Sequence, residues 1–130
     1  ADHQLRVPTV RQNEGPGNAL MATLAHAHVT EVFTSFGEKS VSSEQVAGRV
    51  KRDVLAYQNS TAAVGPYLAD QWALPLALAV HESGQSASYT CSEITEHTRT
   101  NLDVIQRFLP LRTEVTQEDP VRWKVTFSPV

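Results

Sequence analysis

The sequence predicts an α+β fold assembled from two small α/β units, and three observations lead to that expectation. Stretches with helical spacing alternate with short β-rich runs. The composition shifts at Asn59-Ser60-Thr61, separating a strand–strand–helix pattern from a helix–strand–helix–strand–strand pattern. No fixed repeat period runs through the chain. At 130 residues, with 41% apolar and 19% charged positions, the chain can bury a core and has a globular composition.

The elements follow in order. Ala1 to Asn18 is polar and ends in Glu14-Gly15-Pro16-Gly17-Asn18, a loop signal. Ala19 to His28 and Val29 to Phe36 read as two strands, with Val29, Val32 and Phe33 as β-formers and Gly37 closing the run. The clearest helix starts at Ser42, a good N-cap. Gln45 completes a capping box, and Val41 and Val46 are spaced for a hydrophobic staple. Val46, Val50, Val54 and Tyr57 then give one buried face to about Asn59, with Lys51, Arg52 and Asp53 on a solvated one; Gly48 weakens this helix without abolishing it.

Tyr67 to Val80 is apolar and helical in content, and Pro75 in its middle either kinks the helix or restarts it. Gly84 to Ser88 reads as a polar loop that leads into a strand over Ser88 to Ser92. A helix over Thr100 to Leu109 sets Leu102, Ile105 and Leu109 on one face and stops at Pro110. Two strands, Leu111 to Thr116 and Val121 to Phe127, join through Glu118-Asp119-Pro120.

Charge and composition restrict the function. No apolar run reaches the length of a membrane span, and the opening residues do not read as a basic-then-apolar leader. The single cysteine, Cys91, excludes an internal disulfide and fits a reducing, cytoplasmic setting. Eleven Lys and Arg stand against fourteen Asp and Glu, a net charge of −3. That balance is unlike a nucleic-acid binder that works through a basic surface of its own.

Three places could carry chemistry. Neither G-x-x-x-x-G-K-[ST] nor G-x-G-x-x-G occurs, and Gly15-Pro16-Gly17 reads as a turn. His26-x-His28 on a strand would point both imidazoles to one side, an incomplete metal pair or simply a polar edge. His81, beside Glu82, reads as an exposed residue at a loop start, and His3 as part of a frayed terminus. His97 falls between a strand and a helix, where free backbone N–H groups and a positive dipole end suit a phosphate. Arg99 could add a bidentate phosphate contact and Glu96 could orient the ring; an exposed histidine near a helix start is the plainer alternative. In Gly65-Pro66-Tyr67-Leu68-Ala69-Asp70-Gln71, one helical turn sets Tyr67 beside Asp70 and Gln71. The group offers either a stacking ring with polar partners, or a helix start with Tyr67 in the core and Asp70 in solvent.

The segments around Tyr67 and His97 are joined by Gly15-Pro16-Gly17-Asn18, Ser35-Phe36-Gly37-Glu38-Lys39 and Arg107-Phe108-Leu109-Pro110. Together, in order and with compatible spacing, these blocks resemble the RNA 3′-terminal phosphate cyclase family from about Glu14 onward. The resemblance implies that residues 1–60 are the latter part of an inserted α/β domain. It implies that residues 61–130 are the closing βαβαββ-type repeat unit of the catalytic domain, the earlier units being absent. It further implies ATP-dependent conversion of an RNA 3′-phosphate to a 2′,3′-cyclic phosphate through a histidine–AMP intermediate. His97 matches the adenylated histidine, and Tyr67, Leu68, Ala69, Asp70 and Gln71 match the nucleotide-binding segment, with Tyr67 as adenine platform. ATP, an RNA 3′-phosphate end and a divalent metal (Mg or Mn) are the implied ligands. The metal-binding acid and the phosphate-binding arginines belong to units outside these residues, so the chain alone is expected to be inactive, and to self-associate or be only marginally stable. His81 to Ser88 looks longer than in close relatives. A non-catalytic cyclase-like module of RNA processing or ribosome biogenesis is the alternative, and the presence of His97 argues against it.

Overall fold

The computed structural model describes residues 4–8 and 17–130. The loop expected at Glu14, Gly15 and Pro16, and the terminus around His3, lie outside the described residues. Among the described residues, three helices and two antiparallel sheets form an α+β fold, as the sequence predicts.

Strands β1 (Ala19–Ala25) and β2 (Thr30–Phe36) pair as a hairpin, in register from Ala19 opposite Phe36 to Ala25 opposite Thr30. The first strand ends three positions before the expected His28, because the His26 N–H donates to the Val29 carbonyl at 2.8 Å and turns the chain. His26 and His28 therefore lie in the turn, and the argument that both rings project from one strand face does not hold. Alternation along β2 brings Glu31, Phe33 and Ser35 inward. The adjacent β-formers Val32 and Phe33 cannot share a face; Phe33 is buried and Val32 is exposed.

Helix α1 (Ser43–Asn59) begins as the sequence predicts. Ser42 Oγ accepts from the Gln45 N–H at 3.3 Å, and Gln45 Oε1 accepts from the Ser42 N–H at 2.9 Å, satisfying two donors the helix cannot use internally. Val46, Val50 and Tyr57 are its buried residues; Val50 and Tyr57 pack with Phe33, with Ala22, Leu24 and Val54 at the margin of this small core.

After Ser60 the chain crosses to a second, larger core. Val64 forms a parallel bridge with Cys91, its N–H donating to the Thr90 carbonyl at 3.1 Å. Helix α2 (Pro66–Ser83) follows, with Gly65 as N-cap, Pro66 in the first turn and a left-handed Gly84 (φ 66°) at its C-cap. Pro75 neither ends nor restarts it, for the helix is continuous through that position. Strands β3 (Ala87–Cys91), β4 (Leu111–Asp119) and β5 (Arg122–Pro129) form a sheet in the order β3-β5-β4. Helix α3 (Glu96–Phe108) lies between β3 and β4 in the chain. The fully buried Ala69, Ala73 and Ala77 of α2 pack with Val125 and Phe127 of β5 and with Leu102 and Ile105 of α3. From Val64 onward the order is bridge, helix, strand, helix, strand, strand.

Helix α3 starts earlier than the expected Thr100. Thr95 is its N-cap, its hydroxyl accepting from the Thr98 N–H at 3.1 Å. The apolar period that marks the helix begins only at Leu102, so the polar first turn escaped it. Leu109 falls just past the helix, as its C-cap.

Candidate functional site

Helices α2 and α3 run against each other, and their first turns bring together residues far apart in sequence. His97 is the second residue of α3, inside the helix rather than before it. Asp70 stands one turn into α2. His97 Nδ1 and Asp70 Oδ2 are 2.9 Å apart, across 27 positions of chain. An ionised carboxylate only accepts, so the Nδ1 position carries the proton and donates. In a neutral ring, that leaves the lone pair on Nε2, on a side chain that is 83% exposed.

A further residue that sequence reasoning missed steadies the pair. Asn101, one turn beyond His97, donates through Nδ2 to Asp70 Oδ1 and to the Asp70 carbonyl, both at 3.2 Å. Its position four residues after His97 is the signal that could have found it. The role expected of Glu96 does not materialise: its carboxylate is exposed and lies 3.8 Å from the Arg99 guanidinium. Arg99 itself extends over the Trp123 ring, 5.8 Å from its centroid. Helical geometry explains both outcomes, because neighbours in sequence diverge by about 100° around the axis.

Pro66, Tyr67, Asp70, Gln71, Thr95 and His97 line one cleft of about 450 Å³. Tyr67 is 60% exposed, so its ring is available as a wall, and the alternative of a core Tyr67 beside a solvated Asp70 is reversed. Leu68 and Ala69 do not reach this cleft. Leu68 packs against the larger core, and Ala69 is fully buried, its carbonyl accepting from the Tyr89 hydroxyl at 2.8 Å. His81 is exposed in the last turn of α2. Cys91 lies in the core, where burial pushes its thiol up to about 11 and makes it a poor nucleophile.

Among the described residues no group of three or more His, Cys, Asp or Glu is arranged to hold a metal ion. No described helix is long and apolar enough to cross a membrane.

A family model described as RNA 3′-terminal phosphate cyclase matches residues 6–115. A protein of Ralstonia nicotianae named RNA 3′-terminal phosphate cyclase is 50% identical over 105 residues, covering 81% of this chain and 29% of that relative. The chain thus spans about three tenths of that relative's length.

Proposed function

The chain belongs to the RNA 3′-terminal phosphate cyclase family, and from that premise we propose that it carries the nucleotidyl-accepting histidine of an ATP-dependent RNA 3′-phosphate cyclase. The observation that carries the reading is the Asp70–His97 hydrogen bond in the cleft walled by Tyr67 and Gln71. Asp70 holds the ring in the tautomer whose exposed Nε2 can attack.

In the proposed reaction, His97 Nε2 attacks the α-phosphorus of ATP. The N–P bond forms as the bond to the β-phosphate's bridging oxygen breaks, and pyrophosphate departs with that electron pair. The ring gains positive charge, which the Nδ1–H bond to the Asp70 carboxylate stabilises. An RNA 3′-phosphate oxygen then attacks the same phosphorus and returns the electron pair to Nε2. Finally the RNA 2′-hydroxyl attacks the 3′-phosphorus, loses its proton and expels AMP, closing the 2′,3′-cyclic phosphate. Tyr67 offers a stacking face for adenine, Gln71 a polar contact at the rim, and the start of α3 a positive dipole end beside the phosphates. A divalent metal, when bound, would screen the phosphate oxygens. The described residues offer it no ligand cage, and the same proposal assigns its ligands, and most of the RNA contacts, to other units of a longer protein. A cytoplasmic setting belongs to this proposal as well, supported by the one free cysteine.

The test is transfer of label from α-labelled ATP with a divalent metal. It is run on this chain and on the chain extended to the length of its family relatives. Acid-labile, alkali-stable label is expected on the extended protein, absent from His97→Ala and formed about tenfold or more slowly by Asp70→Asn, which keeps the shape but loses the charge. No label on the wild type at either length would refute the enzyme reading.

A further inference from the structure

We infer that Glu31, in the first unit, is a positioning residue for the His97 cleft, supplying from a distance the cap that helix α2 lacks. The inference rests on the reading of that cleft as the nucleotide site. Glu31 is the only charged side chain buried among the described residues, at 2% exposure. A carboxyl group out of water needs a compensating partner. Its partner is the backbone N–H of Gly65, 34 positions away, which donates to Glu31 Oε1.

Gly65 is the N-cap of α2, and no side chain of its own segment caps that helix. The comparison with α1 is direct. There the third helical residue, Gln45, reaches back to accept the N-cap N–H of Ser42. The equivalent residue of α2 is Leu68, which has no acceptor. Glu31 makes the missing half of that box from another strand, and its negative charge also suits the helix N-terminus. The fit is close. A Cβ at Gly65 would stand 3.3 Å from Glu31 Oε2 and 3.4 Å from Phe33 Cζ, so the glycine lets the two units touch here. The linker is held to the first unit once more, by the Tyr57 hydroxyl donating to the Ala63 carbonyl at 3.1 Å.

What this tether positions is the start of α2. Tyr67 follows Gly65 by two residues and lines both the His97 cleft and a second cleft of about 290 Å³ between the units, walled also by Phe33, Asp53, Tyr57 and Glu93. Asp70 lies one turn further along the same helix. Releasing Gly65 would loosen the stacking ring and the carboxylate that orients His97, with no change in either side chain.

Two readouts test this. One is amide hydrogen exchange at Gly65 and Ala69 in this chain. The other is the ATP dependence of label transfer in the family-length protein. Glu31→Gln keeps an acceptor oxygen and should stay near wild type in both. Glu31→Ala should speed Gly65 exchange by about tenfold or more, and raise the KM for ATP several-fold more than it lowers the saturating rate. Ser42→Ala, which removes the cap of α1 and touches neither core cluster, should lower the melting temperature and leave both readouts in place. The inference is overturned if Glu31→Ala leaves exchange and KM unchanged, or if Ser42→Ala moves them as far. Should the wild type take no label, the function proposed for His97 fails by itself, and the exchange measurements still decide whether Glu31 holds the helix start.

Discussion

At Glu31 the exclusion of water couples protonation to folding. Burial raises its pKa above the ordinary 4.5, while the Gly65 N–H and the nearby His26 pull it partly back. The groups that face it are few: the Gly65 amide, His26 from the hairpin turn, and Tyr57 from α1, whose own pKa is raised by burial and by the Glu31 charge. For an acid with a raised pKa the folded state holds the proton more tightly. That stabilisation is complete below the unfolded value and is lost as pH rises through the folded one. Wild type should therefore lose stability relative to Glu31→Gln as pH climbs above the ordinary 4.5, and the gap should level off once the raised folded value is passed. Urea midpoints across this range would show it, and parallel curves for the two proteins would rule it out. Single residues were only partly legible in the sequence. His97 and Tyr67 could be named through the family resemblance, their surroundings alone favouring the plainer reading, but the partner of His97 could not. Glu96 is adjacent in sequence and points elsewhere, whereas Asp70 arrives from another helix.

Helix α1 shows what an element can reveal by itself. Its capping box, apolar stripe and end are all patterns among residues a few positions apart, so they were readable in order along the chain. Ser42→Ala should cost about 1 kcal/mol, the usual worth of such a cap, seen as a lower melting temperature with the helix still formed. An unchanged melting temperature would mean the first turn is held by packing instead. Helix α3 was legible only from its apolar stripe, because Thr95 caps a turn that has no apolar residue to announce it. Pro75 left two outcomes open at the sequence level. The surrounding core decides between them: Ala73, Ala77 and Val80 are buried on either side of the proline, and their packing carries α2 through it.

Across the described residues, the two units carry separate core clusters, joined by the Glu31–Gly65 bond and by Val29 of the hairpin, which packs against the larger core. Helices α2 and α3 also turn apolar side chains to solvent. Leu74, Leu78 and Val104 are nearly half exposed, and Phe108 is 82% exposed. Surfaces of this kind seek cover. The chain should therefore self-associate at micromolar concentration in sedimentation velocity, and Leu78→Lys with Phe108→Lys should shift it toward monomer. A clean wild-type monomer would contradict this. The sequence by itself determined the fold class, nearly every element, the family resemblance and the identity of His97 as a candidate, since these rest on periodicity, caps and motifs that short stretches carry. Only the tertiary structure decided which carboxylate serves His97 and which one holds the helix that brings it there. Those pairs lie 27 and 34 positions apart, and packing between elements, which no local pattern encodes, brings them together.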